Sequence, residues 1–365
     1  MPDISTLRIC SVLASAAFAG VFAVLWHGRR SEPWLAYWGG SSALYAVTLV
    51  GLGQYPTPSP LLAGTLFAAL GTTNLLMLAG LRAFDGLAPC TPWMLGLVTA
   101  SGLTGLTLGS EATAVGRIAN AASLALSMTC FGMPLARSRA TDGTRAPRRI
   151  AGAAMLAYVP GFLISIWCEL RLGSQQNWLA LVPMLSDQLL LGVLNLSLLA
   201  IPGQRSEQAL RRAALHDALT GAWNRTALQM HEPALAVPGN AVILVDVDHF
   251  KIINDRLGHA TGDAVLVRLA QALSQCVSLR SGHLVRLGGD EFLLILPEVT
   301  IEQARDIAEN IRSQVNQPVL GLPRLSVSIG VGVVGAEEET LDAALARADC
   351  LLYQAKGAGR NRITA

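Results

Sequence analysis

The chain has 365 residues, room for two or three domains, with a mean hydropathy of +0.45 and 14% charged residues. Average soluble domains are about a quarter charged, so this composition excludes a wholly soluble globular protein and concentrates apolar residues in membrane. A formal net charge of +2 gives no ground for nucleic-acid binding, and six cysteines without a CxxC pair fit neither a disulfide frame nor a zinc site.

Apolar stretches near twenty residues predict membrane crossings at about 9–26, 34–53, 61–81, 93–110, 118–136, 150–167 and 178–201. The crossings that follow the first argue for a retained helix there, not a cleaved leader. Glycine and threonine dilute the fourth, and Pro160-Gly161 interrupts the sixth. Arg29 and Arg30, Arg82, Arg137 to Arg149, and Arg205 to Arg212 follow odd-numbered crossings, whereas the alternate loops carry only Arg8, Arg117 and Arg171. Arginine-rich loops stay on the cytoplasmic side, so seven crossings with the N-terminus outside are expected.

Trp26, Trp34, Trp93, Trp167 and Trp178 fall at predicted helix ends, as an interfacial belt would. Ser15 with Ala19, and Ala16 with Gly20, offer a close-contact seam, although such spacing arises by chance in an alanine-rich helix. Asp187 lies inside a crossing, where a carboxylate needs a partner or a cavity. It either senses a ligand or proton, or hydrogen-bonds Asn74, Asn120 or a serine. No crossing shows a histidine pair suited to haem.

Pro202-Gly203 is expected to end the last crossing and Ser206 to cap a new helix through Leu215. Leu210, Ala213 or Ala214, and Asp217 keep roughly one face, on which the helix could pair with its copy. Pro233, Pro238 and Gly239 predict a surface loop. Beyond it the patterning predicts strand 241–246, helices 249–256 and 261–276, hairpin strands 283–287 and 291–296, helix 300–316, strand 325–334 and helix 340–357. Together these read as an α+β sheet covered by helices.

The strand from Ala241 ends in two carboxylates, Asp246 and Asp248. In Arg286-Leu287-Gly288-Gly289-Asp290-Glu291-Phe292, a hairpin turn sets two carboxylates beside two residues without Cβ. A phosphate can then approach backbone amides while a carboxylate holds a cation against its oxygens. Either feature alone reads as a plain turn or a solvated strand end. Asp217-Ala-Leu-Thr220 with Asn224-Arg225 lies upstream, and Lys356-Gly-Ala-Gly359-Arg360-Asn361-Arg362 closes the chain. In this order, from about residue 205 to 365, the four stretches resemble the GGDEF family of diguanylate cyclases, which join two GTP into cyclic di-GMP. The resemblance does not reach residues 1–200.

It implies a palm-like fold and two Mg²⁺ per site, or Mn²⁺, held by Asp246, the Val247 carbonyl and Asp290. Glu291 would assist deprotonation of the attacking hydroxyl or hold the second metal. Gly288 and Gly289 would admit phosphate, Lys251, Lys356 and Arg360 would neutralise it, and Asn254 and Asp263 would read guanine. Without the resemblance, Asn254 and Asp263 are ordinary cap or turn residues and the three cations a solvated helix face. Phe250, Leu257 and Tyr353 read as core or base-flanking packing.

The implied plan is a seven-helix membrane domain at 1–202, a signalling helix at 203–216 and a GGDEF domain at 217–365 in the cytoplasm, anchored to a bacterial inner membrane. The implied partners are GTP, the lipid bilayer and a second copy of the chain, met through the GGDEF domain and linker helix. Ala222 and Thr226 depart slightly from the family pattern. Leu279 and Gly282 stand where many relatives have an Arg-x-x-Asp product site, with Arg280 and His283 shifted by one, so that inhibitory site is expected to be missing. A silent GTP-binding module is the alternative, against which the intact carboxylates and cations argue. A transporter rests on the crossings alone and lacks the broken-helix pair of a substrate site.

Overall fold

The computed structural model describes residues 3–55, 58–107, 114–172, 178–335 and 340–365, with the side chains of 172 and 178–180 outside the description. The chain forms two compact units, Met1–Gln208 and Ala209–Ala365.

The first unit is helical: α1 Ile4–Gly28, α2 Pro33–Gln54, α3 Pro60–Phe84, α4 Pro92–Thr107, α5 Ala114–Ala136, α6 Arg145–Leu172 and α7 Trp178–Leu215. Six of these are long and apolar enough to cross a membrane; α4 falls short with 16 described residues, and the end of its expected span lies outside the described residues. Its contacts nevertheless run the length of its neighbours. Trp93 lies 5.5 Å from Phe131 near the end of α5, and Ser101 Oγ lies 2.8 Å from Ser123 Oγ in its first half. Against α3, a Cβ on Gly105 would come within 2.9 Å of the Ala63 carbonyl, and one on Gly64 within 3.0 Å of the Gly102 carbonyl. Glycine on both helices permits that backbone approach, and α4 runs antiparallel to α3 and α5.

Polar ties define the two ends of this unit. At one end Arg148 grips Asp85 with two 2.7 Å hydrogen bonds, and Arg205 lies 3.5 Å from Asp142 and 4.7 Å over the Phe84 ring. At the other, Arg117 pairs with Glu169, and Gln188 Nε2 donates to Leu7 O at 3.2 Å and Ser11 Oγ at 2.9 Å. Successive helices therefore alternate in direction.

Several sequence expectations are corrected here. Trp34 is buried edge-on to Phe84 at 5.2 Å, so it belongs to the core; Trp93 and Trp167 are exposed as a belt requires, and the Trp178 side chain lies outside the described residues. A Cβ on Gly20 would meet nothing within 4 Å, so the Ala16–Gly20 pair makes no seam, whereas Ser15 is buried and a Cβ on Gly39 of α2 would lie 3.1 Å from Phe22 Cβ and 3.8 Å from Ala19 O. Asp187 accepts from the Tyr158 hydroxyl at 2.7 Å, not from an asparagine, while Asn74 donates to Ser127. Pro202-Gly203 does not end a helix, because α7 continues to Leu215 with Pro183 and Pro202 inside it and Ser206 caps nothing. Each proline removes one donor, which a long, otherwise hydrogen-bonded helix absorbs.

In the second unit α8 spans Arg225–Leu235, α9 Phe250–Leu257, α10 His259–Ser278, α11 Ile301–Val315 and α12 Leu341–Gly357. The strands are β1 Ala241–Val247, β2 His283–Gly288, β3 Glu291–Leu296, β4 Val327–Val333 and β5 Ile363–Thr364, in the order β2-β3-β1-β4-β5, parallel only between β4 and β5. β1 is buried on both faces, as its unbroken apolar run requires. Ile243 and Val245 meet Val265, Leu269 and Ile311 of α10 and α11, while Val242 and Leu244 meet Leu341, Ala348 and Leu352 of α12. Gly330 is needed on that second face, since a Cβ there would collide with the Ala348 carbonyl.

The expected loop is confined to residues 236–240, with Pro238 and Gly239 in a turn, because Pro233 lies inside α8; Asn224 Oδ1 caps that helix at Ala227 N, 2.9 Å away, a bond contributing about 1 kcal/mol. Trp223 is held between two imidazoles, with ring centroids 4.3 Å from His283 and 4.6 Å from His231. Its backbone donates to Leu284 O and accepts from Arg286 N, tying the start of the unit to β2.

Candidate active site

Because β1 lies between β3 and β4, Asp246 faces Glu291 on one side and Ser328 on the other. Its side chain is nearly buried, and Lys356 Nζ, from the last turn of α12, lies 2.7 Å from Oδ2. Burial pushes the Asp246 carboxyl up to about 6; the Lys356 ammonium opposes this, and the charges of Asp290 and Glu291 add to it. Three carboxylates and one ammonium in one neighbourhood favour a further cation. No cage of three His, Cys, Asp or Glu side chains exists among the described residues. The carboxylates are hard oxygen donors of the kind that suits Mg²⁺, and water or a phosphate would have to complete its shell.

This titration has a measurable consequence. The folded chain binds more protons than the unfolded one between the ordinary 3.8 and about 6, so stability falls as pH rises through that window. Metal-free wild-type protein should lose more thermal stability than Asp246→Asn between pH 4 and pH 7. Added Mg²⁺ should restore Tm at pH 7 in the wild type only. Parallel melting curves would remove the carboxylate from this account.

β2 and β3 join through Gly288-Gly289-Asp290-Glu291, with a register shift between Arg286 and Gly288. Gly289 has φ 51°, a backbone state that glycine adopts cheaply. A Cβ on Gly288 or Gly289 would meet nothing within 4 Å, so internal packing does not demand glycine there and the turn backbone is open on that side. Arg286 fixes the turn: Nε and Nη2 donate to Gly289 O at 3.0 and 2.7 Å, and Nη1 to Asp217 Oδ1 at 2.9 Å. Burial acts to raise the Asp217 carboxyl, yet bonds from Thr220 and Arg286 hold it below the usual carboxylate range. Sequence reasoning treated Asp217 as a boundary marker and gave Arg286 no role; an arginine three residues before the turn carbonyl was the available signal.

Asn254 on α9 and Asp263 on α10 flank a sharp connection at Gly258, φ 82°. Asn254 Oδ1 is buried without a hydrogen-bond partner, an arrangement that a ligand donor would complete. Gly262 makes room for it, because a Cβ there would collide with Oδ1 and come within 2.9 Å of Cγ. Asp263, the next residue, is exposed beside it. Lys251 and Arg360 are exposed and form no ion pair among the described residues. Lys356, expected on phosphate beside Arg360, forms an ion pair with Asp246.

Asp248 is the reverse case. Its oxygens accept from Ser328 Oγ at 2.7 Å, Ser326 Oγ at 2.8 Å and Asn361 N at 3.0 Å, so it is a structural tie. That tie holds Arg360 and Asn361 in left-handed conformations, φ 61° and 46°. Phe250 packs partly on the core as expected, but Leu257 and Tyr353 are exposed, 53% and 78%, and are not core. Leu279 is exposed on the surface, and a Cβ on Gly282 would come within 2.6 Å of Ile295 O, so position 282 has no room for a carboxylate.

Residues 214–362 match the family described as Diguanylate cyclase, GGDEF domain. The chain is 43% identical over 171 residues to the diguanylate cyclase DgcM of Escherichia coli K12, covering 44% of this chain and 41% of that protein. It is 36% identical over 179 residues to the diguanylate cyclase VdcA of Vibrio cholerae, covering 47% and 52%. The chain thus spans about half the length of these relatives. Among solved structures, the coiled coil and GGDEF domain of DgcB from Caulobacter crescentus, in complex with c-di-GMP, is similar at 28% identity and TM-score 0.44, covering 48% of this chain and 98% of that one. Residues 214–362 thus carry a GGDEF domain of the diguanylate cyclase type.

Proposed function

We propose that the chain is a membrane-bound diguanylate cyclase condensing two GTP into cyclic di-GMP and two pyrophosphates, as a homodimer in which each subunit carries one GTP. The observation that carries this reading is the crowding of Asp246, Asp290 and Glu291 beside a turn whose glycine backbone is open to approach. Asp246, the Val247 carbonyl and Asp290 would hold Mg²⁺, which when bound offsets charge on the phosphoryl oxygens. Asn254 and Asp263 receive the guanine edge, and Gly288 and Gly289 let phosphate reach backbone N–H groups. Lys251 and Arg360 draw the triphosphate, with Lys356 shared between it and Asp246. Glu291 takes the proton of the attacking 3′-hydroxyl. Purified full-length chain in detergent, given GTP and Mg²⁺, should yield cyclic di-GMP; binding of GTP without product would favour the silent module instead.

The helical unit is proposed to cross a bacterial inner membrane seven times, with the N-terminus outside and the GGDEF domain in the cytoplasm. Alternating helix direction and the arginines gathered at the Arg148–Asp85 end support this orientation. A periplasm-active reporter fused near Gly173, outside the described residues, should be active, and one fused near Gly143 silent. The opposite pattern would invert the orientation.

A further inference from the structure

Within the helical unit lie a cavity of about 130 Å³ and a smaller one of about 40 Å³, and Tyr45, Thr73, Asn74, Met128 and Tyr158 line both. The larger chamber is walled chiefly by apolar side chains such as Leu49, Phe67, Leu124 and Phe162. The smaller one reaches Asp187, which is 2% exposed. Tyr158 donates to Oδ1, but Oδ2 is buried and accepts no hydrogen bond among the described residues. No lysine or arginine forms an ion pair with Asp187 among the described residues; Arg8 lines the larger chamber with its own Nε unpartnered.

A carboxylate placed only to tie two helices would be expected to have both oxygens occupied, as Asp248 of this chain does with three donors. Asp187 borders the smaller chamber with one oxygen bonded by Tyr158 and the other without a hydrogen-bond partner among the described residues, and the hydroxyls of Ser11 and Tyr45 are its other polar neighbours. An intramembrane carboxylate is costly unless something pairs with it, and a hydrogen-bond donor bearing positive charge would do so. The phenol rings of Tyr45 and Tyr158, which line the same space, suit a cation as well. A chamber of about 150 Å³ lined by apolar side chains holds benzene, so the volume here sets the apolar body at about that size.

We propose that the helical unit binds a small organic amine, its ammonium on Asp187 Oδ2 and its apolar body in the larger chamber. This site is independent of the cyclase reading. Helix α7 supplies Pro183, Met184 and Asp187 to the two chambers and is the same helix that runs on to Leu215.

The test uses full-length protein in lipid nanodiscs, with benzylamine, toluene and benzoate as probes, calorimetric titration as readout and protein-free nanodiscs subtracted. Benzylamine should bind saturably and at least tenfold tighter than toluene, with benzoate weakest. Asp187→Asn should reduce benzylamine to the affinity of toluene. Leu124→Trp, which fills the larger chamber and leaves Asp187 intact, should abolish binding of both; this variant decides the matter if Asp187→Asn does not fold. Equal binding of benzylamine and toluene, no saturable benzylamine binding, or benzylamine binding unaffected by Leu124→Trp would overturn the proposal.

Discussion

Alanine at Asp246 or at Asp290 is expected to lower cyclic di-GMP formation on the order of 10³-fold while the second unit stays folded. Asp246 lies near the end of β1 and Asp290 in the turn between β2 and β3, where the proposed reaction needs charge offset as the phosphoryl group transfers. Loss of folding is not the expected cause. The charges of Asp290 and Glu291 help raise the Asp246 carboxyl, so removing Asp246 or Asp290 relieves repulsion in the metal-free protein. Its Tm at pH 7 should hold or rise while turnover disappears. Product measured by chromatography alongside a melting curve separates the two effects, and undiminished turnover in either variant would remove that residue from the site.

Gly262→Ala is expected to cost on the order of 10²-fold in kcat/KM for GTP although the added methyl touches no substrate. Gly262 lies inside α10, where alanine is intrinsically favoured by about 1 kcal/mol. Against that gain, the new Cβ displaces the Asn254 carboxamide from its buried position. A site that reads a base through polar groups loses discrimination when one of them moves. The preference for GTP over ATP should therefore narrow as it does in Asn254→Ala, and the double variant should be no worse than either single one, because both act on one carboxamide. Independent, additive losses would show that Gly262 matters for another reason.

Most of the second unit was legible because its strands and helices carry clean periods bounded by glycine and threonine. The hairpin strands and β1 fall within a residue of their expected limits. What escaped has physical causes. Helix α8 tolerates Pro233 near its end, and α7 carries Pro202 through its middle, so proline punctuated the sequence more strongly than the backbone. Two-residue β5 has no period to detect. Within the site, the residue types were evident but two partnerships were not. Arg286 reaches Asp217 across 69 positions, and Lys356 neutralises Asp246. Neither pairing exists until the sheet brings the segments together.

The ring contacts of Trp223 with His231 and His283 give the second unit an optical handle. Trp223 is the one tryptophan in residues 209–365; the other six lie in the helical unit. A difference emission spectrum between the wild-type chain and Trp223→Phe therefore isolates this indole. Protonated imidazole quenches indole fluorescence, and burial, with the nearby His231, holds His283 below its ordinary 6.5. The quenching that His283 supplies should therefore set in only on stronger acidification. The Trp223 carbonyl accepts the backbone N–H of Arg286, whose side chain in turn grips the Gly289 carbonyl. Nucleotide entering that turn would perturb the emission without any attached dye.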